Sequence, residues 1–290
     1  MPGFRRIPAL GFFLSLMLAA SGCQGEESGE AGAGEGRAAS MEVDPLLVLA
    51  ASDLQAAFQE LVPRFEEDTG HRVDLVLGST GNLAAQIRHG APADLFFAAN
   101  EMFLDQLLHD GRILAESRRE YAVGRLALVA GPGEDPPEEI EALTDLGYPV
   151  IAVANPEHAP YGMVAREALE AVGLWDELEP RLILGENIAH TLQFVQTGNA
   201  DAGIVALGLV RGIPGTALPH TLVPASLHSP LRQVAGVVDD TTQGEVAWQF
   251  LDYVLSDEGQ IVLARFGFEP PVERDGATSQ GGDEAGSGRR

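Results

Sequence analysis

The feature that most constrains this chain is a junction that recurs four times. A short apolar run ends, a few small, hydroxyl or amide residues follow, and a helix-period segment begins. It occurs at Ala50-Ala51-Ser52-Asp53-Leu54, at Gly78-Ser79-Thr80-Gly81-Asn82 and at Asn155 to Met163. The fourth is Gly185-Glu186-Asn187-Ile188-Ala189-His190. Apolar runs of four to eight residues alternating with amphipathic helical stretches are the mark of an α/β protein with largely parallel sheets. The predicted strands are 46–51, 73–77, 94–98, 126–130, 150–154, 181–184, 203–207 and 234–238, with helices between most of them. Pro63 falls inside the first helical stripe and predicts a kink or a shortened helix. Gly70, Gly90, Gly111 and Gly173 close helical segments and read as C-terminal caps. The last helix is predicted over 242–265 as one element.

Each junction offers backbone N–H groups that lack an intrahelical partner, at the positive end of a helix dipole. Ser52 and Thr80 add hydroxyls, and Gln55 stands where it could complete a capping box with Ser52. Helix N-termini are anion sites that require no basic side chain. In parallel α/β sheets, ligands bind beyond the carboxyl ends of the strands. Several such junctions brought together would form a neutral cage of donors. Taken singly, Ser52 reads more readily as an N-cap, and Thr80 as part of a turn. The side chain of Ile188 reads as core, leaving only its N–H to serve.

Composition removes competing classes. The formal net charge is −25, without the basic footprint that nucleic acid requires. All eighteen cationic side chains are arginine, which excludes Schiff-base and P-loop lysine chemistry. The single cysteine, Cys23, excludes an internal disulfide and any multi-cysteine metal site. No Gly-x-Ser-x-Gly elbow or His-Glu-x-x-His helix is present, and the seven histidines show no metal-ligand spacing. An enzyme is not expected. His158 and His190 lie within two of the junctions and read as surface or capping residues.

The ends of the chain read differently from its middle. Arg5 and Arg6 precede an apolar run from Ile7 to Ala20, too short to span a membrane and matching a secretory signal. Ala20-Ser21-Gly22-Cys23 resembles a bacterial lipobox, with alanine where leucine is usual. Residues 1–23 are therefore expected to be a lipoprotein-type signal, with Cys23 as the lipidated residue anchoring the chain to a membrane. Residues 24–43 read as a flexible linker and 273–290 as a disordered tail.

The segments 49–70, 78–100, 155–178 and 186–207, above all GAPADLF at 90–96 and NPEHAPYG at 155–162, resemble the periplasmic molybdate-binding proteins of molybdate ABC importers. The resemblance covers roughly residues 46–270, in the family's order and spacing. It implies a two-lobe periplasmic-binding-protein type II fold, each lobe a central sheet flanked by helices, with two chain crossings. Lobe I would comprise 44–124 and 231–272, and lobe II 125–230. It implies a monomeric extracytoplasmic receptor, at the periplasm or cell envelope, that captures molybdate, and tungstate with it, in the inter-lobe cleft. The receptor would deliver the anion to an ABC permease and its ATPase. The anion is a ligand, and no cofactor is implied. Carried over by position, Ser52 gives hydroxyl and N–H, Thr80 a hydroxyl, and Tyr161 and Ile188 backbone N–H groups, with Ser79 a weaker contact. All of them would hold the oxygens of the anion, and none would ligate a metal cation.

Two departures follow. Ala206 stands where many members carry a tyrosine hydroxyl donor, so the hydroxyl of Tyr161 is expected to replace it. Asp53 follows Ser52 where some relatives are neutral, and is expected to point away from the anion and favour the helix start. The alternative reading is a receptor for sulfate or phosphate; phosphate would need an acceptor, which Asp53 could supply.

Overall fold

A computed structural model of the protein describes residues 44–212 and 218–271. The predicted signal, Cys23, the linker and the tail lie outside the described residues.

Two five-stranded sheets organise the chain. The first contains β1 (Leu46–Ala51), β2 (Val73–Gly78), β3 (Leu95–Ala98), β4 (Arg119–Gly124) and β10 (Leu231–Val237), in the order β2-β1-β3-β10-β4. The second contains β5 (Leu126–Ala130), β6 (Ile151–Ala154), β7 (Leu182–Gly185), β8 (Ala202–Ala206) and β9 (Thr221–Leu222), in the order β7-β6-β8-β5-β9. Strands β1, β2 and β3 are parallel, as are β6, β7 and β8; β10 enters the first sheet antiparallel to β3, and β5 enters the second antiparallel to β8. Each sheet with its helices is one lobe. The chain passes from the first sheet to the second across Arg125 and returns between β9 and β10.

The helices are α1 (Gln55–Thr69), α2 (Thr80–Arg88), α3 (Glu101–His109), α4 (Pro160–Ala171), α5 (Trp175–Leu178), α6 (Ile188–Gln196), α7 (Leu207–Arg211), α8 (Gly244–Leu255) and α9 (Asp257–Arg265). On the first sheet, Phe58, Phe97 and Phe250 pack edge to face at 5.0–6.0 Å between centroids, with Tyr121 against Phe97 at 5.3 Å. Such aromatic pairs contribute about 0.5–1.5 kcal/mol each beyond their buried area.

Gly70, Gly90, Gly111 and Gly173 all have positive φ at helix ends, as their caps require. Two expectations need correction. Pro63 does not end α1, because it lies on the exposed face, where water can satisfy the carbonyl it leaves unbonded. The predicted helix 242–265 is two helices, since Ser256 leaves helical geometry and its side chain caps α9 by accepting from Gly259 N at 3.2 Å. Strands β4 and β9 were not predicted, although β4 joins a buried Tyr-Ala-Val run to the crossing.

Candidate oxyanion site

The four junctions converge. Ser52 follows β1, Thr80 lies just past β2, Tyr161 follows β6 and Ile188 follows β7, all at the carboxyl ends of parallel strands. Ser52, Asp53, Ser79, Thr80, Tyr161 and Ile188 line one cavity between the lobes, together with Ala51, Gly78, Ala99, Ala159 and Pro160. The lobes lie close together here, bonded directly to one another on either side of it. No Arg or His is among these lining residues.

Local folding explains each position. Ser79 and Asn187 are extended N-cap residues, which makes Thr80 and Ile188 the first residues of α2 and α6. Pro160 opens α4 at the position where its missing N–H is harmless, and Tyr161 is the second residue. The amides of Thr80, Tyr161 and Ile188 therefore fall in first turns, where no intrahelical acceptor reaches them. The Thr80 hydroxyl oxygen accepts from Ala99 N at 3.1 Å, which leaves its proton to donate elsewhere.

The side chains across the cleft also bond one another. Ser52 Oγ donates to Asn187 Oδ1 at 3.2 Å, and Asn187 Oδ1 also accepts from His190 N at 2.9 Å, capping α6. The predicted capping box between Ser52 and Gln55 is absent: Ala51 is the N-cap of a short 3-10 turn that Ser52 opens, and the Ser52 hydroxyl is turned to the opposite lobe. Ser79 Oγ donates to the carbonyl of His158 at 2.6 Å and lies 2.9 Å from its Nδ1, while Gly81 N donates to the same carbonyl at 2.9 Å. His158 thus joins the lobes, beyond the surface or capping role read from sequence. A Cβ on Gly81 would sit 2.6 Å from that carbonyl, so only glycine permits this approach.

Behind the cavity lies a network that sequence reading missed. Asp53 is fully buried. Its Oδ2 accepts from Tyr161 Oη at 2.9 Å and from Gln233 Nε2 at 2.5 Å, and Gln233 Oε1 accepts from Tyr121 Oη at 2.7 Å. Asp53 Oδ1 has no hydrogen-bond partner. Burial raises the Asp53 pKa to about 6, against the lowering effect of the Gln233 and Tyr161 hydrogen bonds. Tyr161 and Tyr121 are pushed well above the usual phenol value, chiefly by burial and secondarily by the charge of Asp53, and both stay neutral.

One expectation is overturned here. The Tyr161 hydroxyl does not stand in for the donor absent at Ala206, because it donates to Asp53. Asp53 does lie in the first turn of a helix start, with Oδ2 turned to Tyr161 and Gln233, and it is buried there. The available signals were Gln233 inside the apolar run of β10 and Tyr121 in β4, two strands whose pairing a single sequence does not give.

Among the described residues, no group of three or more His, Cys, Asp or Glu is arranged to hold a metal ion. A larger open groove, lined by Gln55 and Gln59 of α1 and by Asn187, His190 and Gln193 at and along α6, also runs between the lobes.

Comparison with known proteins places this geometry. Residues 46–269 match the family model of the bacterial extracellular solute-binding proteins. The chain is 33% identical to the molybdate-binding protein ModA of Azotobacter vinelandii over 222 residues, covering 76% of this chain and 88% of that one. It is 32% identical to a putative ABC transporter substrate-binding lipoprotein, YvgL, of Bacillus subtilis, covering 77% and 85%. The solved structure of the Azotobacter vinelandii periplasmic molybdate-binding protein superposes with a TM-score of 0.73 at 30% identity, covering 78% of this chain and all of that one. The sulfate-binding protein SubI of Mycobacterium tuberculosis shares the fold at a TM-score of 0.66 and 14% identity.

Proposed function

Because the chain belongs to the bacterial extracellular solute-binding proteins, a family of receptors and not of enzymes, we propose that it captures molybdate between its lobes and delivers it to an ABC importer. Tungstate, of nearly the same size and charge, is bound as well. The observation that carries this reading is the meeting of four helix-start junctions, two from each lobe, in one cavity free of basic side chains. When the lobes part, the Ser52 hydroxyl turns from Asn187 to the anion; Ser52 then donates hydroxyl and amide protons, Thr80 its hydroxyl, Tyr161 and Ile188 their amides, and Ser79 is a secondary contact. Every donor addresses an oxygen of the anion, so none is a metal ligand.

The energetics fit such a role. About six hydrogen bonds to a charged ligand at about 2 kcal/mol each give roughly 12 kcal/mol gross. Association and closure subtract several, leaving micromolar to nanomolar affinity. The local field of aligned amides and helix ends, not the net charge of −25, decides the sign at the site. The lobes already bond one another through Ser52 and Asn187 and through Ser79 and His158, so they part about the two crossings to admit the ion.

We assign residues 44–124 and 231–272 to lobe I and 125–230 to lobe II. The protein acts as a monomer outside the cytoplasm, carried there by the signal at 1–23 and tethered through lipidated Cys23 and the 24–43 linker. A permease with its ATPase receives the anion.

Thermal unfolding against a panel of oxyanions tests the reading. Molybdate and tungstate at about 1,000 times Kd stabilise the protein by about 4 kcal/mol. Stabilisation by sulfate or phosphate alone, with none from molybdate or tungstate, overturns it.

A further inference from the structure

We propose that Asp53 is a further residue of this site and that it meets the bound dianion as a neutral carboxylic acid, so that one proton enters the protein with each anion. The inference rests on the oxyanion reading above and deepens it.

The geometry supplies the argument. Asp53 is fully buried and lines the same cavity as Ser52, Thr80, Tyr161 and Ile188. One carboxyl oxygen, Oδ2, is held by Tyr161 and Gln233, which fixes the group in the wall. The other, Oδ1, has no hydrogen-bond partner, and a buried acceptor left alone is costly. A proton on Oδ1 turns that acceptor into a donor of the kind the rest of the cavity presents.

No cation offsets the carboxylate. The groups that bear on it are the phenol of Tyr161 from α4, the phenol of Tyr121 from β4 through Gln233, the amide of Gln233 from β10, and the backbone amides of Asp53 and Leu54 in its own turn. Elements packed against residues 52–54 include α1, α6 and α7. Their titratable or charged side chains are Glu60, Arg64, Glu66, Glu67 and Asp68 on α1, His190 on α6 and Arg211 on α7. None of these is among the main influences on Asp53, which are burial and the hydrogen bonds of Gln233, Tyr161 and the local backbone.

A carboxylate whose pKa already stands at about 6 is half-protonated near that pH. A dianion in the same small cavity raises that value further, because like charges in a water-poor site disfavour ionisation. Between the two values, binding and protonation are linked. The apparent Kd weakens about tenfold for each pH unit above about 6, and proton uptake approaches one per anion. Asp53 thereby also selects against a ligand that brings its own proton, since hydrogen phosphate needs an acceptor where a neutral acid offers a donor.

Calorimetric titration of the purified protein with sodium molybdate and sodium tungstate tests this, from about pH 6.5 to pH 8.5 in pairs of buffers differing in ionisation enthalpy. The expected result is a heat that changes with buffer, corresponding to nearly one proton taken up, and a Kd that rises about tenfold per pH unit. In Asp53→Asn both the buffer dependence and the pH slope vanish. Tyr161→Phe removes a hydrogen bond that lowers the Asp53 pKa, so it shifts the onset of the pH slope upward. This second variant keeps the test decisive should Asp53→Asn fail to fold. Tight molybdate binding with no proton uptake overturns the inference and leaves the oxyanion reading standing. Binding of hydrogen phosphate without net uptake, with molybdate and tungstate inert, overturns both.

Discussion

The two walls of the cavity differ in kind. The first lobe presents side chains: the hydroxyls of Ser52 and Thr80 and the carboxyl of Asp53. The second presents main chain: Tyr161 and Ile188 sit in the first turns of α4 and α6, while the Tyr161 ring turns back to Asp53 and the Ile188 side chain is buried. A wall made of side chains depends on residue identity. A wall made of amides depends on helix placement and tolerates almost any residue except proline.

The largest expected effect comes from breaking the side-chain wall. Ser52→Ala with Thr80→Val removes two hydroxyl donors at about 1.5–3 kcal/mol each, weakening molybdate binding by roughly 10²–10⁴-fold in calorimetry. A change under tenfold would mean that the amides alone suffice. Breaking the amide wall needs a proton removed without loss of the helix. Ile188→Pro does this at the first helical position, where proline is accepted. The expected loss is about 10- to 100-fold in Kd, with the far-ultraviolet circular dichroism unchanged.

Asp53→Asn gives an effect that is visible without ligand. The folded pKa, about 6, lies above the ordinary aspartate value of 3.8. The favourable contribution of the protonated group is then complete below about pH 4 and is lost as pH rises through about 6. The variant should match wild type at the acid end and gain up to about 3 kcal/mol relative to it by pH 7 in denaturant unfolding. A constant difference across that range would assign the effect to packing. The smallest effect is Ile188→Val, which trims a buried side chain but keeps the amide. Kd should change by less than about threefold, with about 1 kcal/mol lost in stability.

The same contrast explains what a reader of the sequence could see. The parallel strands and the helix starts were legible because short-range pattern fixes them: apolar runs, small residues at the turns, positive-φ glycines at helix ends. Ser52 and Thr80 stood out as hydroxyls at such starts. The partners of these side chains were not legible. Ser52 bonds Asn187 across 135 positions, Tyr161 bonds Asp53 across 108, and Gln233 bonds Asp53 across 180. Each depends on how distant segments, in two cases from opposite lobes, come together, which no local pattern encodes. The burial of Asp53 was not legible for that reason, since an aspartate at a helix start is ordinarily solvated. The break at Ser256 was hidden because the apolar stripes of α8 and α9 follow without a gap.

The place of β10 carries a consequence for how the chain must assemble. It lies between β3 and β4, yet it follows them by more than a hundred positions. Until residues 231–237 are made, β4 has no neighbour in its own sheet and β3 keeps an open edge. A chain emerging from its amino end therefore completes its second sheet before its first, and a nascent fragment ending near residue 230 carries two raw edges open to aggregation.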